Sequence, residues 1–209
     1  MKDAGFDAVA GYYDRLARLV FGRAMVQSQI KFLGKVSAGS RILVLGGGTG
    51  WWLSKLLLLC PDCQIVYIDS STRMLDKARK NARADHRISF QSGTHDSINE
   101  THSFDVIITF YFLDLFSEQR LVDLTKKIMI SARPGAMWLI TDFVSNRLWH
   151  EWMLRIMYVF FKFTVGLENQ RLPNWVSTLA HQGIQEVEQS FFYRGFIRSA
   201  VYQIGRKPN

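Results

Sequence analysis

Residues 42–50 read Ile-Leu-Val-Leu-Gly-Gly-Gly-Thr-Gly. A branched and leucine-rich run that breaks at once into glycines is the signature of a buried parallel strand turning tightly into a helix. Glycines are needed where a ligand must approach the backbone and a Cβ would collide with it. Nineteen residues past this loop stands Asp69, at the close of a second apolar run, Ile65-Val66-Tyr67-Ile68. That position is the carboxyl end of the neighbouring strand, where a carboxylate can accept hydrogen bonds from two ribose hydroxyls. The pair predicts a site for an adenosine-containing cofactor.

Two common nucleotide loops are excluded by spacing. A dinucleotide fingerprint needs Gly-x-Gly-x-x-Gly, whose third glycine lets the helix N-terminus hold a pyrophosphate. Counted from Gly46 and Gly48 that position is Trp51, and from Gly48 and Gly50 it is Leu53. No Gly-Lys-Ser/Thr follows, so the chain carries no phosphate loop of that type.

Around the loop, strands and helices alternate. Strands are predicted at about 41–45, 64–69, 87–92, 104–111 and 136–142, with helices near 50–59, 72–83 and 117–131 between them. Arg133-Pro134-Gly135 reads as the turn that ends the last of these helices. Two extended runs, Ile184 to Arg194 and Phe196 to Gly205, meet at Gly195 and form an antiparallel hairpin. The expectation is an α/β fold: a mostly parallel sheet covered by helices on both faces. One domain spans 1–209, with an N-terminal helical cap over 1–37 and a helical lid inserted over 146–182.

Within the lid, Leu148 to Val165 is apolar nearly all round, interrupted by Glu151, Arg155 and Lys162. A membrane span wants about 18 or more residues with few charges. The expectation is a lid helix, one side packed on the sheet and the other lining a substrate cavity. Pro173-Asn174 and Gly183 bracket a second, short helix.

Composition narrows the class. The chain has 209 residues, 48% of them hydrophobic and 21% charged, which suits an ordinary globular domain. The opening Met-Lys-Asp-Ala-Gly-Phe-Asp has no apolar leader, and two cysteines form no disulfide framework, so a reducing cytoplasm is expected. Cys60-Pro61-Asp62-Cys63 has redox or half-zinc spacing but lies after a helix and lacks a second pair, so no metal is assigned. A net charge of +8 points to an anionic neighbour, either nucleic acid or a peripheral membrane contact. The basic residues are scattered, and the densest group (Lys77, Arg79, Lys80, Arg83, Arg87) is equally a solvated helix face. The oligomeric state is not legible.

The loop Gly46, Gly48, Gly50 with distant Asp69 resembles the class I S-adenosylmethionine-dependent methyltransferases. Further stretches extend the likeness over most of the chain. Phe6 to Asp14 resembles the Phe-x-x-x-Ala-x-x-Tyr-Asp opening of the quinone-biosynthesis C-methyltransferases (the UbiE-like group). Asp69 to Leu75 is similar to that group's Asp-x-Ser-x-x-Met-Leu. Phe104-Asp105-Val106-Ile107 and Arg133-Pro134-Gly135 match the start of the fourth strand and the turn before the fifth.

The resemblance implies a seven-stranded sheet of order 3-2-1-4-5-7-6 with the last strand antiparallel, and S-adenosyl-L-methionine as cofactor. It implies that Gly46, Gly48 and Gly50 admit the methionine and ribose parts of the cofactor. Asp69 would hold the ribose hydroxyls, Ser70 would also touch the cofactor, Met74 and Thr94 would lie near the adenine, Thr109 would line the sulfonium side, and Tyr13 would cap the site. Two departures stand out: Val44 replaces an acid usual two residues before the first glycine, and Thr94 replaces an adenine-binding acid.

The acceptor is expected to be a small or lipid-like, lipophilic and aromatic molecule, attacked in line. Candidates for a base are His95, Tyr111, Asp114 and His150. The fourth strand ends Thr-Phe-Tyr-Phe-Leu-Asp, without the Asn/Asp-Pro-Pro-Tyr of enzymes that methylate base or amide nitrogens, which disfavours nucleic acid. Two alternatives stay open: an RNA methyltransferase using the basic surface, and a non-catalytic cofactor-binding regulator.

Overall fold

The computed structural model describes residues 19–165 and 172–205. Seven strands form one sheet of order β3-β2-β1-β4-β5-β7-β6, as expected. They are β1 (Arg41–Leu45), β2 (Gln64–Asp69), β3 (Ile88–Ser92), β4 (Phe104–Phe110), β5 (Ala132–Phe143), β6 (Gln185–Phe192) and β7 (Ile197–Gln203). The first five run parallel; β7 is antiparallel to both β5 and β6. The helices are α1 (Arg23–Ile30), α2 (Leu53–Leu59), α3 (Thr72–Asn81), α4 (Glu118–Ser131), α5 (Leu148–Val165) and α6 (Trp175–His181).

Alternation along the central strands explains why both faces are covered. Ile42 and Val44 of β1 pack with Trp52, Leu53, Tyr67 and Leu75 on one face. Leu43 and Leu45 pack with Ile107, Leu124, Trp138 and Trp175 on the other. A strand buried on both sides must be apolar at every position, which is why Ile42 to Leu45 reads as a continuous run. Val44 is fully buried, so the position two residues before the first loop glycine is core here.

Local chemistry sets the helix ends. Ser71 caps α3 by accepting the Met74 N–H at 3.1 Å, and Arg79 with Lys80 stand in its last turn, where cations favour the helix dipole. The glycine loop runs on to Trp52, so α2 starts three residues later than predicted. Arg133-Pro134-Gly135 is not a separate turn. It lies inside β5 as a bulge: register passes from Phe104↔Ala132 to Val106↔Met137, and Gly135 takes φ +83°. The strand absorbs the extra residues because Arg133 ion-pairs with Asp105 at 2.6 Å across the irregularity.

The predicted N-terminal helix lies outside the described residues up to position 18. Beyond it, α1 is stitched to the sheet. The Ser28 carbonyl accepts the hydroxyls of Thr141 (3.2 Å) and Ser199 (2.9 Å), one from β5 and one from β7. α5 packs through Trp149, Met153, Leu154 and Met157 on Phe143, Phe196 and Ile197 at the end of the sheet.

Asp142, near the end of β5, fixes the segment after β4. Its Oδ2 accepts the N–H groups of Phe112 (3.1 Å), Leu113 (2.8 Å) and Asp114 (3.4 Å), while Oδ1 accepts that of Phe143 (2.8 Å). Burial pushes the Asp142 carboxyl up to about 7, against those bonds. Asp114 is pushed well above the ordinary carboxylate range by burial and then by the charge of Asp142. Asp114 keeps the proton, because its Oδ1 is buried with no hydrogen-bond partner.

Two predictions follow from the packing and from this acid pair. Ile107 is fully buried in the middle of β4, so Ile107→Ala should lower the unfolding free energy by about 2–5 kcal/mol in urea titration; a loss under about 1 kcal/mol would contradict the packing. Asp114 and Asp142 bind protons more tightly folded than unfolded, so their protonation stabilises the fold. That stability is complete below about pH 4 and falls as pH rises, the Asp142 share being lost through about 7. Thermal denaturation of Asp114→Asn should therefore show a smaller fall in Tm than wild type between about pH 5 and about pH 8. Parallel curves would show that the pair does not titrate as described.

Candidate functional site

The carboxyl ends of β1, β2 and β4 converge on the glycine loop. Gly46 donates its N–H to the Ile68 carbonyl at 2.9 Å, so the loop leaves β1 already tied to β2. Gly46, Gly48 and Gly50 take φ +59°, +61° and +60°, the left-handed region that glycine occupies without penalty. Their surroundings differ. At Gly48 nothing lies within 4 Å of where a Cβ would stand, so this backbone is open to a ligand. At Gly46 a Cβ would stand 2.1 Å from the Phe112 ring, and at Gly50 it would stand 2.6 Å from Leu53. Gly46 and Gly48 both line the crevice, while the Cβ positions of Gly46 and Gly50 are taken by the protein's own side chains.

Asp69 is 8% exposed and joins the loop to the next helix. Its Oδ2 accepts the Gly48 N–H and its Oδ1 the Ser71 N–H, each at 2.9 Å. Those two bonds fix the carboxylate in the plane between loop and strand. Each oxygen of a carboxylate has a second lone pair, so the same group can also accept from a ligand.

A crevice open to solvent lies over these residues. It brings together Gly46, Gly48, Asp69, Ser70, Met74, Thr94, His95 and Tyr111, all named from the sequence. Thr94 caps a short 3-10 turn by accepting the Asp96 N–H at 3.2 Å. The acid missing at position 94 is not replaced by Asp96, whose carboxylate is held outward by Lys127 at 2.7 Å. His95 stands edge-on to Phe116 at 5.4 Å, and burial lowers its pKa, so the ring is neutral at neutral pH. Tyr111, with φ +54°, occupies a conformation that costs a non-glycine residue of order 1–3 kcal/mol. Its hydroxyl shares a 2.8 Å hydrogen bond with Ser28, turning the ring toward α1.

Other sequence-named residues stand elsewhere. The Thr109 hydroxyl is fully buried and accepts the Trp138 indole N–H at 2.9 Å, so it faces into the core and does not line the sulfonium side. Gly50 lies beneath the loop. Asp114 belongs to the acid pair with Asp142 and is not among the crevice's lining residues. His150 is buried, its Nδ1 accepting the Asn146 N–H at 3.1 Å at the start of α5, packed against Phe196. Among the described residues none of α5 lines the crevice. Tyr13 lies outside the described residues. No metal-binding group of His, Cys, Asp or Glu occurs among the described residues. Cys60 and Cys63 are both buried free thiols, and burial pushes that of Cys63 up to about 12.

The structure adds residues that the sequence did not single out. Gln29 accepts the Trp51 indole N–H at 2.8 Å, fastening Trp51 at the crevice wall. Phe112, Phe116 and Arg120 also line the crevice. The Phe112-to-Phe116 aromatic spacing after β4 was a visible signal, but its direction is set by Asp142, which no pattern announces.

The geometry suits a nucleoside ligand: an unshielded backbone at Gly48 beside a buried carboxylate, with apolar walls. Comparison with known proteins agrees. A family model described as a methyltransferase domain matches residues 42–135. A comparison with the curated proteins finds no match. Among solved structures, the chain is similar to the methyltransferase in a complex with the Haloferax volcanii Trm112 methyltransferase activator: 17% identity, TM-score 0.73, covering 96% of this chain and 98% of that one. It is also similar to a SAM-dependent methyltransferase from Aquifex aeolicus, at 17% identity and TM-score 0.63, covering 93% and 98%. An O-methyltransferase family protein from Burkholderia thailandensis gives 17% identity and TM-score 0.70, covering 95% and 59%. At such identities the solved structures speak for the fold, and the domain match covers the strands and loops that build the crevice. Residues 42–135 thus match a methyltransferase domain, on a sheet of the order, and with the glycine loop, that the sequence led one to expect.

Proposed function

We propose that the crevice holds S-adenosylmethionine with its ribose hydroxyls on Asp69, its methionine portion along the Gly48 backbone and its adenine beside Ser70, Met74 and Thr94. The observation that carries this placement is the Asp69 carboxylate, locked by the Gly48 and Ser71 amides at the crevice wall. Bound there, the cofactor supplies a sulfonium methyl group to an acceptor nucleophile in line with the leaving sulfur. The protein's part is alignment and exclusion of water, which lowers the barrier without a residue that bonds to the methyl group.

We read the acceptor as a small or lipophilic, aromatic molecule. Tyr111, Phe112 and Phe116 supply ring surfaces at the crevice, against one Lys or Arg among the described residues, Arg120. A nucleic-acid substrate would call for several cations along its path. The likeness of Phe6–Asp14 and Asp69–Leu75 to the quinone-biosynthesis C-methyltransferases supports a phenol- or quinol-like acceptor.

His95 and Tyr111 are the two base candidates that reach the crevice. A neutral imidazole can take a proton, so His95 suits that role if the acceptor is protonated. Asp114 lies within the loop that Asp142 holds and away from the crevice. His150 serves α5.

Isothermal titration with S-adenosylhomocysteine tests the assignment. Asp69→Asn keeps the shape of the side chain and loses its charge, so affinity should fall about 10–100-fold, the weight of a hydrogen bond to a charged partner. Circular dichroism of the variant should match wild type. Unchanged affinity would falsify the ribose assignment.

A further inference from the structure

One side of α5 is turned to solvent in a way its sequence does not require. Leu148, Trp152, Ile156 and Val159 are 84%, 69%, 54% and 57% exposed. At 100° per residue they fall within an arc of about 80°, along about 16 Å of helix. The opposite side carries His150, Met153, Leu154 and Met157, packed or buried against the sheet end. The helix is therefore apolar on two faces, and among the described residues only one of them is packed against the fold.

The exposed stripe continues beyond α5. Trp149 meets the Tyr193 ring at 6.1 Å, and the Tyr193 hydroxyl donates to the Val20 carbonyl at 3.0 Å. Val20 and Leu19 are themselves 37% and 83% exposed. Leu19 and Val20 are thus a second exposed apolar pair, reached from α5 across the packed rings of Trp149 and Tyr193.

Charge tells what such a surface fits. Arg155 projects from the middle of the stripe, Arg147 precedes it, and Arg194 and Arg23 flank the Tyr193 and Val20 ends; all four are exposed. None of the four has an ion pair among the described residues. Glu151 is the only acid within α5. Exposed tryptophan and aliphatic side chains ringed by unpaired arginines match the boundary between headgroups and acyl chains of an anionic bilayer. The apolar groups enter while the guanidinium groups stay with phosphate. No helix among the described residues is long and apolar enough to cross a membrane, so the contact is in the plane of the surface.

We propose that the Leu148–Val159 face of α5, with Leu19 and Val20, docks this protein onto an anionic lipid surface. The inference deepens the lipophilic-acceptor reading, on which its functional meaning rests: a docked enzyme can take an acceptor dissolved in the bilayer.

The test is co-sedimentation of the full chain with vesicles of phosphatidylcholine alone and of equal parts phosphatidylcholine and phosphatidylglycerol. Wild type should sediment with the mixed vesicles and remain in solution with the neutral ones. The double variant Trp152→Ser/Ile156→Ser should lose about tenfold or more of that binding, because each side chain withdraws apolar area from the interface. Arg147→Glu/Arg155→Glu should lose it also. Both positions of the first variant are exposed, so its thermal midpoint and its S-adenosylhomocysteine affinity should equal those of wild type. Absence of vesicle binding, equal binding to neutral vesicles, or binding that survives the double variant would overturn the proposal. So would a gel-filtration shift from dimer to monomer in the double variant, which would assign the stripe to a second copy of the chain. In each of those cases retained S-adenosylhomocysteine binding would leave the methyltransferase reading standing.

Discussion

The site rests on one buried carboxylate. Asp69 accepts an amide from the glycine loop on one oxygen and an amide from the start of α3 on the other. Without that bridge, three left-handed glycine conformations in a loop between two strand ends would have little to select them. A buried charge is costly unless its lone pairs are satisfied, and here the satisfaction comes from the backbone that must be shaped. Binding chemistry and loop geometry are thus set by the same side chain.

Asp142 repeats the device one strand pair away. It gathers the amides of Phe112, Leu113 and Asp114, and so aims the segment after β4 toward Gly46. The Phe112 ring then occupies the space a Cβ at Gly46 would fill. The first loop glycine is therefore answered by a residue that lies 66 positions later in the chain. Loop, carboxylate and aromatic wall form one arrangement, and each strand end contributes the constraint that the next one needs.

The strands, the glycine loop and Asp69 were legible in the sequence because each leaves a local pattern: an apolar run, a glycine spacing, an acid at a strand end; the order of the strands came from the family resemblance. Thr109 shows where such patterns stop. β4 is buried on both faces, so alternation carries no sign of which face a given residue takes, and its hydroxyl turned out to serve Trp138. α5 fails for the opposite reason. Being apolar all round, it hides which side the fold uses, and the exposed stripe appears only once the packing of Leu154 and Met157 is known. Gln29, Phe116 and Arg120 come to the crevice from a helix, a loop and a helix start whose reach depends on tertiary contacts. Asp142 leaves no pattern, since an acid ending an apolar strand reads alike whether it meets solvent or four amides.

The most direct measurement is a crystal structure of the protein with S-adenosylhomocysteine. The account predicts both ribose hydroxyls within hydrogen-bond distance of Asp69, the amino-acid portion against the Gly48 backbone, and the Asp69 bonds to Gly48 and Ser71 intact. A nucleoside lodged elsewhere, or an Asp69 side chain rotated out of the crevice with the ligand in place, would contradict it.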